Sequence, residues 1–429
     1  MIEILDNHLC CGCEACVQAC PEHCISFNED TEGFRYPSVN KSACIDCGLC
    51  EKVCPVLQQA EQKEPLKVYA AQNTNEEELM ASSSGGLFIL LAKETLREGG
   101  IVFGAKFNEK WEVVHDYAET EEEVRAFMGS KYVQSRIGNT YAQAKGFLKQ
   151  GRKVLYTGTS CQIAGLKNFL RKDYDNLLTI DVICHGVPSP MVWRRYLEEL
   201  KRNARKGKNS VSSPLIHSIS EGDASNVHIE SISFRDKRTG WKKFSFALTL
   251  AEASADGKKN TVSLSHIFNE DPYMQLFLRN LILRPSCYQC PAKAGKSQSD
   301  LTIADFWGIE RCHPDFDDER GVGLMMVNSE KGKQAIQSLP LRLLEVTFED
   351  AIASNPSYIT SVAEPQKRKQ CFKDLYLTKK NLSKIVEKIF MPSLEIRIKQ
   401  KLYSLYISLC KKNKFSIYAH SNTHTTTTI

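Results

Sequence analysis

The sequence contains no run approaching the ~20 apolar residues that a membrane-spanning helix needs, so a helical membrane protein is not expected. Its first residues, Met1-Ile2-Glu3-Ile4-Leu5-Asp6, lack the basic and apolar regions of a secretory leader. Export is therefore not expected, and the expected location is cytoplasmic. No G-x-G-x-x-G follows the first strand-like segment after the N-terminal module, so a Rossmann-type nicotinamide site is not indicated. Long-period repeats are missing too, apart from one duplicated motif. Cysteine, by contrast, is abundant: 17 in 429 residues. In a chain not expected to be exported, that many thiols point to metal rather than to a disulfide framework.

Ten of the cysteines lie in the first 54 residues. Cys10-x2-Cys13-x2-Cys16-x3-Cys20-Pro21 recurs as Cys44-x2-Cys47-x2-Cys50-x3-Cys54-Pro55. Three thiolates at two-residue gaps converge on one centre, and the fourth, followed by proline, lies too far along to close the same site. In two-cluster ferredoxins it ligates the other cluster. The expected pairing is Cys10, Cys13, Cys16 and Cys54 on one [4Fe–4S] cluster, and Cys44, Cys47, Cys50 and Cys20 on the second. Structural zinc takes four ligands and does not explain the Cys-Pro ending. Cys11 and Cys24 fall outside the pattern and are expected to be bystanders.

The net charge of +5 hides an asymmetry. Residues 1–57 hold nine acids against three bases, a net −6, which suits docking to a basic redox partner. Residues 366–414 hold fourteen bases against three acids, a net +11, which suits an acidic partner or anionic lipid headgroups; nucleic acid is not expected. Both stretches also suit merely solvated surfaces.

Composition and pattern divide the chain into a ferredoxin-type module (1–57), a linker (58–66), an α/β domain (67–365), a basic helical extension (366–418) and a disordered tail (419–429). Strands are expected at 25–27, 36–39, 67–72, 101–107, 112–117, 153–156, 177–183, 301–306 and 323–327, with a hairpin over 228–235 and 243–250. Helices are expected at 82–96, 137–149, 160–170, 189–203 and 268–283, and a loop over 205–226. Short apolar runs bounded by glycine read as buried strands covered by helices.

Four later cysteines share a setting. Cys161 lies at a strand-to-helix turn, Cys184 just past a strand, and Cys287 and Cys290 form a Cys-x2-Cys pair. Strand ends of open α/β sheets are where ligands bind, so these four are expected to hold a third [4Fe–4S] cluster; small buried thiols are the plainer alternative for Cys161 and Cys184. Cys312, Cys371 and Cys410 lack such company. His185, beside Cys184, is a candidate proton donor or a satisfied structural imidazole. Three polar turns, Ser82-Ser83-Ser84-Gly85-Gly86, Gly129 to Ser135 and Thr157-Gly158-Thr159-Ser160, open helices and suit an anionic dinucleotide, although serine and glycine are ordinary capping residues. Asp305, in Asp305-Phe306-Trp307-Gly308, could accept a hydrogen bond from a ribose, a flavin ring N–H or Arg284, or cap the next turn.

These motifs, in this order over residues 1–365, resemble the coenzyme F420 hydrogenase/dehydrogenase beta-subunit family with a fused two-cluster ferredoxin module. The carrying residues are the duplicated cysteine motif, Ser84-Gly85-Gly86, Ser130-Lys131-Tyr132, Thr157 to Gln162, Cys184-His185-Gly186, Cys287/Cys290 and Asp305 to Gly308. The resemblance implies an iron–sulfur flavoprotein oxidoreductase. It would pass electrons between clusters and FAD, and then to or from a hydride-exchanging small molecule: coenzyme F420 in methanogen-type members, or another organic acceptor. Some bacterial members accompany surface-polysaccharide biosynthesis. The implied cofactor contacts are Ser84, Gly85, Gly86, Ser130, Lys131, Tyr132, Gln134, Ser135, Thr157, Gly158, Thr159, Ser160, Gln162 and Asp305; the implied third-cluster ligands are Cys161, Cys184, Cys287 and Cys290. Ser160 stands where many members have proline. The alternative reading is an electron-transfer subunit whose partner oxidoreductase holds the substrate site.

Overall fold

The computed structural model describes residues 2, 7–205, 227–253, 259–378 and 380–390. The expected 205–226 loop after its first residue, most of the basic extension, Cys410 and the expected disordered tail lie outside the described residues. One compact unit runs from Met1 to Leu382; the second, Ser383–Ile429, is described only through residue 390, within a helix that begins at Leu382.

The N-terminal module is built around one hairpin, β1 (Ile25–Glu29) and β2 (Arg35–Val39), paired antiparallel from Ile25↔Val39 to Glu29↔Arg35. The cysteine loops flank it. In the α/β domain the strands are β3 (Lys67–Asn73), β4 (Ile101–Phe107), β5 (Val113–Ala118), β6 (Val154–Thr159) and β7 (Leu177–Val182). A separate meander follows: β8 (Val227–Asp236), β9 (Ser245–Ala253) and β10 (Lys259–Ile267). The chain then returns to the main sheet with β11 (Leu301–Asp305), β12 (Gly323–Val327) and β13 (Leu341–Glu345).

The main sheet has eight strands in the order β13-β3-β12-β11-β7-β6-β4-β5. Its centre, β11-β7-β6-β4, is parallel, so four C-terminal strand ends open on one edge. Strands β12, β3, β13 and β5 join antiparallel. Central strands are apolar because helices cover both faces: Ile101, Phe103, Tyr156 and Leu177 pack on one side with Tyr141, Ile163 and Leu166, and Val102, Leu155 and Ile180 on the other with Leu87 and Leu91. Cys11, Cys13, Ala15 and Val53 belong to the first of these clusters. The ferredoxin-type module therefore shares a core with the sheet and is not a tethered bead.

The structure departs from several expectations. Residues 82–86 are a bent turn, and the helix is Leu87–Arg97; a short helix, Glu76–Ala81, precedes it. The helix expected over 268–283 is only Pro272–Leu278, because Asn280 takes a left-handed φ of 62° and the chain turns into the Cys287 loop. Strands β10 and β13 were not expected; in β13 only Leu341 and Leu344 are even partly buried, so it carries little apolar pattern.

Candidate metal centres and ligand site

Two cavities lie in the N-terminal module. The outer one, with about 340 Å³ of atom-free space, is lined by Cys20, Cys24, Cys44, Cys47 and Cys50. The inner one, with about 280 Å³, is lined by Cys10, Cys11, Cys13, Cys16 and Cys54. Each wall thus contains three cysteines of one motif and the Cys-Pro cysteine of the other. The crossing arises because the helix Ala15–Ala19 carries Cys20 away from its own loop and Leu49–Lys52 does the same for Cys54. A soft thiolate set of this kind suits an iron–sulfide cluster. The two sites differ in exposure: Cys47 is exposed and Cys44 half-buried, whereas Cys10, Cys13, Cys16 and Cys54 are all buried.

The two expected bystanders are wall residues. Cys24 lies with its Sγ 3.4 Å from that of Cys20, turned back by the left-handed His23 (φ 48°). Cys11 is buried on the wall of the inner cavity beside Cys13, in the core cluster against which Cys161 packs. Spacing alone could not show either contact.

The second cysteine group assembles at the C-terminal edge of the sheet. Cys161 is in the first turn of the helix Ser160–Leu170, Cys184 follows β7, and Cys287 sits in the 3-10 turn Pro285–Gln289, with Cys290 next after it. Burial and neighbouring thiols of the group raise the pKa of Cys184, Cys287 and Cys290. Burial first, then Cys161 and Cys290, lifts Cys184 to about 12; burial and Cys161 lift Cys290 to about 11. Bound metal cations would reverse that cost, because coordination deprotonates a thiol. The backbone supports the ring: Val187 N–H donates to Cys287 Sγ (3.4 Å), and Lys293 Nζ donates to the Cys184 carbonyl (2.6 Å). His185 is anchored through Nε2 to Asn280 Oδ1 at 2.6 Å and packs edge-on against Phe277. Burial lowers its pKa, so it is held as a neutral, partnered ring.

Beside this group lie the three polar turns. Most of their side chains serve the protein itself. Ser83 Oγ accepts from the Ser130 N–H (2.8 Å), and Ser130 Oγ lies 3.0 Å from it; Ser84 Oγ donates to Val322 O (2.8 Å). Thr157 Oγ1 donates to Phe103 O (2.9 Å), and Ser160 Oγ to Val182 O (3.4 Å). Gln162 Oε1 accepts from the Thr159 N–H (2.9 Å), its Nε2 donates to Ser135 Oγ (2.9 Å), and the Thr159 hydroxyl lies 3.3 Å from Cys161 Sγ. Lys131 Nζ donates to the carbonyls of Phe127, Met128 and Gly129, and loss of hydration lowers its pKa to about 7. The Gly85 Cβ position is filled by the backbone of Ala71 and Gly323. That glycine permits chain-to-chain packing.

The donors left over are elsewhere. The helix Leu87–Arg97 has Gly86 as N-cap and no side-chain cap, so its first N–H groups have no side-chain partner. Among the described residues, five buried ring or guanidinium nitrogens also lack hydrogen-bond partners: Arg235 Nε, Trp241 Nε1 and His115 Nδ1, together with His313 Nε2 and Arg368 Nε. His115 Nε2 lies 3.0 Å from Thr157 O, and burial lowers its pKa to about 4. A carbonyl partner fixes the proton on Nε2, leaving Nδ1 as a free acceptor. These groups fit a ligand with both an anionic part and ring N–H or C=O groups.

Arg235, on β8, ties the site together, and sequence reasoning missed it. It grips both oxygens of Asp305 (2.8 and 3.0 Å), donates to Tyr132 OH (3.2 Å), and lies over the Phe244 ring at 4.0 Å. Burial disfavours its charge, but the Asp305 carboxylate outweighs that and raises its pKa. Arg284, suggested as the partner of Asp305, instead donates to Cys10 O (2.6 Å), Gln134 Oε1 (3.0 Å) and Arg35 O (2.9 Å). Gln134 likewise serves the cysteine loop, donating to Cys11 O at 3.2 Å. No hydrogen-bond partner in the sequence marks these choices; they come from elements up to 274 residues apart.

Cysteines shared crosswise between two cavities make this an iron–sulfur protein of the two-cluster ferredoxin kind, fused to a mixed α/β sheet. Residues 9–57 match the family described as 4Fe-4S dicluster domain, and residues 151–347 match the family described as the C terminus of the coenzyme F420 hydrogenase/dehydrogenase beta subunit. The chain is thus related, over residues 151–347, to the coenzyme F420 hydrogenase/dehydrogenase beta subunits, an oxidoreductase family, and carries a 4Fe-4S dicluster region before it.

Among its relatives is the F subunit of the F420H2 dehydrogenase from Methanosarcina mazei, 25% identical over 194 residues that cover 42% of this chain and 55% of the relative. A ferredoxin of Saccharopolyspora erythraea is 44% identical over 55 residues, 13% of this chain and 41% of that one. The chain spans about half the length of the first curated relatives it matches. A chain of the F420-reducing [NiFe] hydrogenase complex from Methanosarcina barkeri aligns at 15% identity and a TM-score of 0.38, over 69% of this chain and 91% of that one; so loose a likeness carries no argument. Among the described residues no helix is long and apolar enough to cross a membrane.

Proposed function

We propose that the chain is an iron–sulfur flavoprotein subunit that exchanges electrons with a redox partner at its N-terminal module and with a hydride-carrying small molecule at the sheet edge. Cys10, Cys13, Cys16 and Cys54 would hold one [4Fe–4S] cluster, Cys20, Cys44, Cys47 and Cys50 a second, and Cys161, Cys184, Cys287 and Cys290 a third. FAD would lie at the uncapped start of the Leu87–Arg97 helix, near Arg235, Tyr132 and His115. When bound, clusters move single electrons and a flavin moves one or two, which joins one-electron carriers to hydride chemistry. The observation that carries the reading is the placement of the second cysteine group and these unpartnered polar groups along one sheet edge, against the buried side of the ferredoxin-type module. Here the protein's own part is to hold, orient and shield; no side chain is assigned as catalytic.

Coenzyme F420 is the first hydride carrier to try, with other organic acceptors, including those of polysaccharide pathways, next. Oxygen-free purification followed by iron, sulfide and flavin analysis, and then a screen of hydride donors including reduced F420, tests the reading. Material with about twelve irons, bound flavin and hydride exchange without a partner supports it. Zinc-bearing material with no flavin overturns it.

A second reading has its own support. The chain covers only about half of relatives such as the one named as a dehydrogenase subunit, and many hydroxyls of the polar turns are already engaged. On that reading the protein relays electrons, and a partner oxidoreductase holds the substrate. Clusters that reduce normally while no small molecule exchanges hydride favour it.

A further inference from the structure

Three arginines are buried among the described residues: Arg235, Arg284 and Arg368. A guanidinium taken out of water needs a counter-charge. Arg235 has Asp305, and Arg368 is gripped by both carboxylate oxygens of Glu32. Arg284, 1% exposed, is the most deeply buried of the three. Yet its hydrogen bonds all go to neutral oxygens: Nε to Cys10 O (2.6 Å), Nη1 to Gln134 Oε1 (3.0 Å) and Nη2 to Arg35 O (2.9 Å). It also lies over the rings of Tyr36 (4.4 Å) and Phe34 (5.5 Å). Glu14, the acid of the adjoining cysteine loop, pairs with Arg35 instead (3.2 Å). Among the described residues no carboxylate is within ion-pair distance of Arg284. Carbonyls and ring faces solvate a cation; they do not cancel its charge.

The guanidinium faces one cysteine loop. Gly12, at φ 71°, stands between Cys11 and Cys13, and a Cβ there would come within 2.9 Å of Arg284 Nη1 and 3.0 Å of its Cζ. Cys10, Cys11 and Cys13 line the inner cavity. None of the partners of Arg284 lines the outer one. A buried, uncompensated cation therefore stands directly behind the wall of the inner site.

We infer that the missing counter-charge is the inner cluster itself, and that Arg284 raises the electron affinity of that site. The inference rests on the metal sites proposed above. An iron–sulfide core held by thiolates is an anion, and more so once reduced; its potential follows net charge, hydrogen bonding and exposure. A fixed cation in low-dielectric surroundings favours the more negative form. Reduction adds one electron to the site, supplied by a one-electron redox partner; no bond at Arg284 changes and no proton moves. Arg284 is thus a positioning residue that acts through its charge on the site whose loop it holds.

The test compares Arg284→Met and Arg284→Lys with the native protein, all as the full chain prepared without oxygen. Iron and sulfide are measured first. Native material lacking clusters defeats the proposed function itself, and this inference with it. With clusters present, each site's potential is read by a redox titration followed by magnetic resonance. Arg284→Met is expected to make one N-terminal site at least roughly tenfold harder to reduce, a shift of about 59 mV for one electron, and to leave the other at its native value. Arg284→Lys, which keeps the charge and loses the planar fork, is expected to stay near native. Iron lost from Arg284→Met but held by Arg284→Lys also supports the inference, because the site then needs the charge to form. Native potentials in Arg284→Met overturn it. So does an equal shift in both variants, or loss of iron from both, because the hydrogen-bonded fork and not the charge would then be what matters.

Discussion

Arg235 and Asp305 form a two-pronged ion pair, with Nη1 and Nη2 each donating to one carboxylate oxygen, at 2.8 and 3.0 Å. The arginine comes from the separate three-stranded meander and the aspartate from the last residue of β11 in the main sheet. Its guanidinium is only 2% exposed. The pair pins the meander over the sheet edge and fixes Tyr132 through the same guanidinium.

Arg235→Met should leave a largely buried carboxylate without its counter-charge. Breaking one side of such a pair costs roughly 3 kcal/mol. A lower denaturant midpoint by that amount is expected, with part of it regained in Arg235→Met/Asp305→Asn. An additive double variant would mean the two side chains do not act as a unit.

Cys287→Ala should remove about four irons from oxygen-free material and leave the N-terminal sites filled. Iron analysis and the reduced-cluster spectrum check this. An unchanged iron count would count against a third metal site.

Gly85→Val tests the packing role of that glycine. A side chain there collides with the Ala71 carbonyl and the Gly323 N–H where β3 meets β12. Overpacking of this kind costs about 3 kcal/mol. The expected result is a less stable protein by thermal or denaturant unfolding. A variant of native stability that merely binds flavin poorly would favour the ligand-approach explanation.

His115 gives a pH signature. Burial sets its folded pKa at about 4, below the ~6.5 of an exposed imidazole. The unfolded chain therefore takes up the proton first as the pH falls. The contribution of the neutral ring is complete above about pH 6.5 and is lost progressively towards pH 4, by up to about 3 kcal/mol. Between about pH 7 and 5.5, native protein should lose stability faster than His115→Gln. Parallel slopes would place the proton elsewhere.

Much of the metal chemistry was legible before any fold. The spacing of Cys10 to Cys20 and Cys44 to Cys54 depends on local geometry, which sequence encodes directly. The same holds for β3, β4, β7, β11 and β12, whose apolar runs mark strands covered on both faces. Strand β10 and the poorly buried β13 carry weaker patterns and were not recognised. The turn residues show what sequence does not record: Ser83, Ser84 and Thr157 have the right chemistry for phosphate, and the chain also engages their hydroxyls itself.

The sequence alone determined that this is a thiolate-rich iron–sulfur chain with a two-cluster module, because three ligands of each site lie within seven residues and need only a tight loop. Only the tertiary structure decided that Cys11 and Cys161 share one core, that Arg284 grips the cysteine loop, and that Arg235 partners Asp305. Each of those contacts joins segments 70 or more residues apart. Their energy comes from burial and from pairing charges away from water, and no local pattern carries a record of which distant segment will supply the partner.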